Sequence, residues 1–230
     1  MKEKFENREK IDFTTRLADF LQHKRRIIII AGAVVIGAFI AGISGYAIWE
    51  KTSGDNIQAV EELYDRYFEM GFENPAVNAV NEEETSEYIA SVREFAEKKS
   101  GYAAVRAWTI LGRVYQSRKE WPLAEEAWSR AAALKPASYL TPESLFNAAS
   151  AAEEQGSVER AIEILKKISG EYPDTFPGIA RSSFSLGRLY EKQEDTEAAL
   201  SAYQTVVENW PSSPWANLAN SRIIALAINR

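Results

Sequence analysis

The hydrophobic pattern of the chain changes at residue 49. Residues 27–49 read IIIIAGAVVIGAFIAGISGYAIW and contain no charged side chain. As a helix rising about 1.5 Å per residue, this run is about 34 Å long, enough to cross a bilayer core of about 30 Å. From residue 50 onward, apolar residues recur at helical spacing among polar ones. The pattern predicts one transmembrane helix followed by a series of amphipathic helices.

The residues on either side of the apolar run predict its orientation. Lys24, Arg25 and Arg26 precede the run, and Glu50 follows it. Because basic residues favour the cytoplasmic side, the amino terminus is expected in the cytoplasm and the rest of the chain outside it. The run is longer than the apolar core of a cleaved signal peptide, which has about 7–15 residues, so an uncleaved anchor is expected.

Residues 1–26 form a predicted cytoplasmic arm. They carry eight Lys or Arg and five Asp or Glu, a net charge of +3. Phe13, Leu17, Phe20 and Leu21 recur at helical spacing in the arm, which predicts a short amphipathic helix on the membrane surface.

Small residues interrupt the predicted span at regular intervals. Gly32, Gly37 and Gly42 lie among alanines, with small residues four apart at Ala33 and Gly37 and at Ala38 and Gly42. Such spacing lets a second helix approach closely, so the three glycines are candidate positions for packing against a partner helix.

Three repeats follow, beginning at Val105, Pro142 and Ala180. Similar residues recur in them at positions 4, 7, 8, 11, 20, 24, 27 and 32. In repeat 1 these are Trp108, Leu111, Gly112, Tyr115, Ala124, Trp128, Ala131 and Pro136. In repeat 2 they are Leu145, Ala148, Ala149, Ala152, Ala161, Leu165, Ile168 and Pro173. In repeat 3 they are Ser183, Leu186, Gly187, Tyr190, Ala199, Tyr203, Val206 and Pro211.

This pattern resembles the tetratricopeptide repeat (TPR), a pair of antiparallel helices. Small residues at positions 8, 20 and 27 let the two helices approach, and large residues at the other positions fill the space between them. The proline at position 32 ends the second helix. Ser183 is the one clear departure, since position 4 is large in the other two repeats.

The segments flanking the repeats complete an all-α prediction. Residues 50–104 form a degenerate first hairpin, with helices predicted over 57–72 and 83–99. Residues 105–213 hold the three TPR hairpins, and residues 214–230 form a terminal capping helix. The predicted fold is therefore a single transmembrane helix, residues 27–49, followed by a TPR-type α-solenoid.

Composition excludes several classes of function. The chain has no Cys, and its one His, His23, precedes the span, so the later residues are expected to hold no His-dependent triad and no metal or other cofactor. Residues 50–230 carry 19 basic and 28 acidic side chains, a net charge of −9, which argues against binding nucleic acid. With neither an enclosing cleft nor a small-molecule site in the pattern, the chain is predicted to bind proteins and not to be an enzyme.

The TPR resemblance implies a concave groove lined by the first helix of each repeat. The candidate groove residues are Arg106, Thr109, Arg113, Phe146, Glu153, Arg181, Phe184 and Arg188. On one hypothesis, Phe146 and Phe184 anchor a client segment while Arg113 and Arg188 attract its acidic groups. On the other, the phenylalanines pack against the neighbouring repeat and the arginines pair with nearby glutamates.

An anchor leading into a hairpin, the stretch FAEKKSGYAAVRAWTILGRVY and the repeat array together resemble the YfgM-like family of ancillary Sec-translocon subunits. The likeness runs from about residue 19 onward and includes Phe95, Tyr102 and Ala107. It implies a single-pass protein of the bacterial inner membrane, with a periplasmic domain that acts beside a chaperone at the export channel. Translocon subunits or exported clients would then be its partners.

Two other functions remain open at this point. One is a structural scaffold within a large envelope complex, such as a flagellar-motor collar or a secretion apparatus. The other is an enzyme or an enzyme regulator that acts on a cell-wall reaction.

Overall fold

A computed structural model describes residues 20–21, 24–73, 81–134 and 139–228. All regular structure in these ranges is helical, which confirms the predicted all-α class. Most of the predicted surface helix of the cytoplasmic arm lies outside the described residues, as do Pro75 and Pro136.

The described chain folds into nine helices. They are α1 (Arg25–Glu69), α2 (Glu82–Lys98), α3 (Gly101–Ser117), α4 (Trp121–Leu134), α5 (Leu140–Glu154), α6 (Val158–Glu171), α7 (Ile179–Lys192), α8 (Thr196–Asn209) and α9 (Pro214–Ile228). The pairs α3–α4, α5–α6 and α7–α8 are the hairpins of repeats 1, 2 and 3.

Two compact parts divide the chain, Met1–Asp55 and Asn56–Arg230. The first part holds the apolar run, and every described side chain from residue 27 to residue 49 is exposed. Within the described ranges, α1 is the helix whose length and apolar composition would allow it to cross a membrane. A methyl group added at Gly32, Gly37 or Gly42 would meet no atom within 4 Å, so these positions have room for a neighbouring helix.

The end of α1 differs from the sequence prediction. Separate helices were expected over 27–49 and 57–72, whereas the structure has one helix from Arg25 to Glu69. The intervening residues contain no proline, and their one glycine, Gly54, costs a helix only about 1 kcal/mol. In the second part, the Tyr88 hydroxyl of α2 donates a 2.6 Å hydrogen bond to the Leu63 carbonyl of α1, which joins the degenerate first hairpin.

The turns inside the three TPR hairpins share one backbone conformation. Lys119, Gly156 and Glu194 all occupy position 15 of their repeats, and all have positive φ, between 59° and 88°. In each hairpin, the backbone N–H of the following residue donates a hydrogen bond to a carbonyl five residues earlier, as Ser157 does to Ala152. The first helix of each repeat therefore ends in a Schellman-type cap. Repeat 2 has a glycine at this position, whereas repeats 1 and 3 adopt the same conformation with Lys119 and Glu194.

The second helices of repeats 2 and 3 begin differently. Asp195 accepts a 3.0 Å hydrogen bond from the Ala198 backbone N–H and so caps the start of α8. Ser157 precedes α6 but makes no capping hydrogen bond through its side chain.

Close helix approach at position 8 organises the repeat cores. A Cβ atom added at Gly112 would lie 2.5 Å from the Trp128 ring, and one added at Gly187 would lie 2.6 Å from the Tyr203 ring. Both rings are almost fully buried. The last helix, α9, packs on α8 and buries Ala216 and Ala219, which makes it the predicted terminal cap.

Candidate protein-binding groove

The candidate groove residues of repeat 1 lie on α3 and differ in accessibility. Arg106 is half-buried, and its guanidinium lies 3.3 Å from the Glu61 carboxylate and 3.7 Å from the centre of the Tyr64 ring. Thr109 is buried, and its hydroxyl donates to the Arg106 carbonyl in its own helix. Repeat 1 therefore uses Arg106 to contact the degenerate first hairpin, and Thr109 presents little surface.

Arg113 borders a small polar cavity. Its guanidinium lies 3.8 Å from the Glu73 carboxylate, which is a loose ion pair. The cavity has a volume of about 280 Å³ and is lined by Tyr67, Glu73, Arg113, Gln116 and Ser117. Burial, together with the nearby Glu73 carboxylate, raises the pKa of Tyr67 to about 12. The cavity thus combines a loosely paired guanidinium with neutral hydrogen-bonding groups, and an acidic side chain that entered it would have to compete with Glu73 for Arg113.

Phe146 and Arg181 form a pair between repeats 2 and 3. The Arg181 guanidinium lies 4.3 Å from the centre of the Phe146 ring, a cation–π geometry. Phe176 also lies beside Phe146, with ring centres 6.4 Å apart. Phe146 is only 4% exposed, so a ligand would meet Arg181 before it met the phenylalanine.

Glu153 and Arg188 form a second pair between the same repeats. Each of two Arg188 nitrogens lies 2.5 Å from one Glu153 oxygen, which is a bidentate arrangement. The hydrogen bonds from Arg188 hold the pKa of the Glu153 carboxyl below its usual range. An acidic group that approached Arg188 would have to compete with this carboxylate.

Phe184 is the more accessible of the two candidate phenylalanines. It is partly buried, and its ring centre lies 5.3 Å from that of Tyr203 and 5.4 Å from that of Trp215. Together these rings form an aromatic cluster at the junction of α7, α8 and α9. The sequence analysis did not assign Trp215 to the groove; its position just after Pro214, at the start of the cap, was the available signal.

Arg222 was also missed by the sequence analysis. It pairs with Glu191, and the same carboxylate accepts a hydrogen bond from the Tyr203 hydroxyl. Arg222 hydrogen bonds lower the pKa of Glu191, and burial raises the pKa of Tyr203. Glu191 thus links α9 to repeat 3 through its ion pair with Arg222. Glu153 links repeat 2 to repeat 3 in the same way, through Arg188.

The structure therefore brings together some of the candidate residues and separates others. Phe146 contacts Arg181, and Glu153 contacts Arg188, whereas Arg106 and Arg113 pair with residues of the first hairpin. Arg113 and Arg188 pair with glutamates and Phe146 packs beside Arg181 of the next repeat, as the second hypothesis expects, whereas Phe184 packs within its own repeat and against α9. Binding by these side chains remains a prediction; Arg181 and Arg188 are exposed, and Phe184 is partly buried.

The arrangement is suited to recognition. Among the described residues, no group of three His, Cys, Asp or Glu side chains could hold a metal ion. Paired charges and partly covered rings on successive helices can contact an extended surface of another protein.

Comparison with known proteins identifies the repeats. Two tetratricopeptide repeat families match the chain, one over residues 111–175 and the other over residues 181–213. A curated relative from Treponema pallidum (strain Nichols), called TPR repeat-containing protein, is 36% identical over 130 residues. The match covers 56% of this chain and 54% of that protein, so the chain spans about half the length of the relative.

Solved structures agree with the repeat fold. The structure of nearly identical TPR-like repeats from a Podosopora anserina kinesin light chain protein has a TM-score of 0.54 and 16% identity to this chain. The match covers 74% of this chain and 84% of the kinesin light chain protein's chain, and a variant of the same repeats gives the same values. At this identity the likeness shows the fold alone. Residues 111–175 and 181–213 therefore match tetratricopeptide repeats, and such repeats indicate a protein–protein interaction adaptor.

Proposed function

We propose that this chain is a membrane-anchored adaptor that presents its repeats on the periplasmic side of the bacterial inner membrane and binds proteins at the export channel. Residues 27–49 anchor it, the span contacts a channel subunit through small residues such as Gly37, and the repeats bind exported or chaperone-bound clients. The YfgM-like resemblance supports the place of action, and the repeats support the mode of action.

One observation carries the membrane part of the proposal. All described side chains of residues 27–49 are exposed within the first compact part, and none of them is charged. Exposing this much apolar surface to water is unfavourable, at about 25 cal/mol per Å², which supports the proposal that a bilayer surrounds the run. Three basic residues on one side and Glu50 on the other support an inward-facing amino terminus.

The absence of cysteine makes the orientation directly testable. Single cysteines introduced as Lys24→Cys and Ser201→Cys would each be the one thiol in the chain. In bacteria with a permeabilised outer membrane, a maleimide that cannot cross the inner membrane should label Ser201→Cys at once and Lys24→Cys only after lysis. The reverse labelling pattern would refute the periplasmic location.

Contact with the export channel is tested by photocrosslinking from the span. A photoreactive residue at Gly37 should crosslink to a channel subunit, and one at exposed Phe39, on the opposite side of the helix, is the control for general proximity. If no site along residues 27–49 captures a channel subunit, the translocon part of the proposal fails.

Client binding is tested from the groove. Photoreactive residues at Phe184 and Arg181 should capture exported proteins because these side chains are accessible. Phe146 is a poorer site, since it is buried beneath Arg181. A photoreactive residue at exposed Glu126 of α4 is the matched control, and equal capture from all three sites would contradict selective binding in the groove.

A scaffold in an envelope complex is the second candidate function. The observation that favours it is the apolar surface of α9, where Leu218, Ile224 and Ile228 are 48%, 60% and 78% exposed. A fixed stoichiometry with a ring component after purification would support the scaffold, whereas variable, substoichiometric clients would support the adaptor.

A further inference from the structure

A cavity of about 720 Å³ opens beside repeat 3, away from the groove residues described above. It lies between the end of α6, the turn that follows, α7 and α8. Its walls include Leu186, Tyr190 and Trp210, and its rim carries Ser169 and Asp174. This volume is within the range of about 300–1,000 Å³ that is usual for ligand sites in proteins.

The corresponding place in repeat 2 is smaller and differently lined. A cavity of about 380 Å³ lies there between α4, α5 and α6. Leu145, at position 4 of repeat 2, lines that cavity, and Ser183, at position 4 of repeat 3, lines the larger one. The change from leucine to serine at one repeat position thus accompanies an almost twofold larger space.

Four further repeat positions change in the same direction. Positions 19, 22, 23 and 26 line both cavities, from the second helix of each repeat. In repeat 2 they are Arg160, Glu163, Ile164 and Lys167; in repeat 3 they are Ala198, Ser201, Ala202 and Thr205. Long side chains in repeat 2 are therefore replaced by small, uncharged ones in repeat 3 at every one of these positions.

Repeat 1 shows what normally occupies position 4. Trp108 is only 3% exposed, and the Arg130 guanidinium, from position 26, lies 4.8 Å from its ring centre. The chain itself thus supplies an aromatic ring at position 4 of repeat 1 and covers it with an arginine. Repeat 3 has neither the ring nor the arginine.

The Ser183 side chain is a second, independent feature of the cavity. It is 4% exposed and lines the cavity, yet its hydroxyl is not one of the fully buried side-chain oxygens that lack a hydrogen-bond partner, as that of its neighbour Ser182 is. The Ser183 hydroxyl is therefore open to the cavity, where a ligand group can replace water as its hydrogen-bond partner.

We propose that this α7–α8 cavity binds an aromatic side chain presented by a peptide segment of a partner protein. The partner would supply to repeat 3 the ring that Trp108 supplies to repeat 1. Tyr190 and Trp210 provide aromatic walls for stacking, and the indole N–H or phenol O–H of the incoming residue can reach the Ser183 hydroxyl. The serines and Thr205 at the rim can bond to the backbone of the segment.

The proposal rests on the repeats binding proteins, and it does not depend on the export channel. Failure to crosslink a channel subunit would leave it intact, and failure of the experiment below would leave the translocon proposal intact. The two surfaces can therefore be tested separately.

The experiment uses the full chain in nanodiscs with ¹³C-labelled alanine methyl groups. The probe is a blocked pentapeptide with a central tryptophan between alanines, and the all-alanine pentapeptide is its control. We expect the tryptophan peptide to shift the methyl signals of Ala198 and Ala202, and to leave that of Ala124 in repeat 1 unchanged. The all-alanine peptide should shift none of them.

Two variants fill the cavity with the side chains of repeat 2. Ser183→Leu introduces the residue found at Leu145, and Ala202→Ile introduces the residue found at Ile164. Each should abolish the shift of Ala198, whereas Gln204→Leu, on an exposed position of α8 that does not line the cavity, should preserve it. Having two independent filling variants guards against one of them failing to fold.

Three results would overturn the proposal. The first is the absence of a shift at Ala198 and Ala202 with the tryptophan peptide. The second is an unchanged shift in both filling variants. The third is an equal affinity for free indole and for the peptide, because the cavity would then select a small aromatic molecule and gain nothing from a protein segment.

Discussion

Repeats 1 and 3 share a core but differ on the outer surface of the hairpin. In both, a glycine at position 8 lies against an aromatic ring at position 24, Gly112 with Trp128 and Gly187 with Tyr203. At position 4, however, repeat 1 has a buried tryptophan and repeat 3 has a serine beside a cavity. The contact between positions 8 and 24 within the hairpin is therefore the same in both repeats. Position 4, which lies beside the second helix of the preceding repeat, differs between them.

This difference separates stability from recognition within one repeat motif. Positions inside a hairpin must be filled because an empty space there removes contacts from both helices. Position 4 can be emptied in repeat 3 because α6, α8 and the turn before α7 still surround it. A space of this kind is available to a partner only where the surrounding helices hold it open.

The largest expected effect comes from making repeat 1 resemble repeat 3. Trp108→Ser removes a large buried ring from a site that Arg130 covers, and it should lower the free energy of unfolding by about 3–5 kcal/mol. Urea unfolding of the full chain in detergent micelles, followed by far-ultraviolet circular dichroism, measures this change.

Leu123→Ser is the control for Trp108→Ser. Leu123 lies in the same hairpin but is 38% exposed, so its loss should cost less than about 1 kcal/mol. An equal loss in the free energy of unfolding for the two variants would mean that the ring at position 4 does not stabilise repeat 1 more than an exposed residue does. The contrast with repeat 3 would then be unsupported.

A smaller effect is expected at the shared glycines. Gly112→Ala and Gly187→Ala place a methyl group within 3 Å of a buried ring, and each should destabilise the chain by about 1–3 kcal/mol despite the better helix propensity of alanine. Gly170→Ala is the matched control, since a Cβ atom there meets nothing within 4 Å. Stabilisation by all three substitutions would show that the helices can separate without cost.

The repeat register could be predicted from the sequence because its causes are local and periodic. Gly112 and Trp128 lie 16 residues apart in one hairpin, and Gly187 and Tyr203 have the same spacing. Ser183 already stood out as a small residue at a large position. The sequence did not show that the space it leaves stays open, because that depends on small residues at Ala202 and its neighbours on another helix.

The pairing of the groove residues could not be predicted in the same way. Glu153 and Arg188 are 35 residues apart, and several carboxylates lay at similar distances along the sequence. Periodicity placed Phe146 on the first helix of repeat 2 but could not show that Arg181 of the next repeat lies over its ring. Charge pairs between repeats depend on how successive hairpins stack, which no single hairpin encodes.

The smallest expected effect concerns the Glu153–Arg188 pair and its dependence on pH. Hydrogen bonds from Arg188 lower the pKa of Glu153 in the folded chain, so the pair stabilises the fold fully above the ordinary glutamate pKa of about 4.3. That contribution is lost as the pH falls through the lower pKa of the folded state. Because Arg188 is 48% exposed, the effect should not exceed about 1 kcal/mol.

Glu153→Gln should therefore reduce stability near neutral pH and make the loss of stability between about pH 5 and pH 3 less steep than in the wild type. Glu208→Gln is the control, since Glu208 is exposed and forms no ion pair within the described ranges. Thermal unfolding at a series of pH values measures both variants. An acid limb that is equally steep in Glu153→Gln and in the wild type would mean that repeats 2 and 3 are held together by packing around Phe146 alone, and that Arg188 is available to an acidic partner.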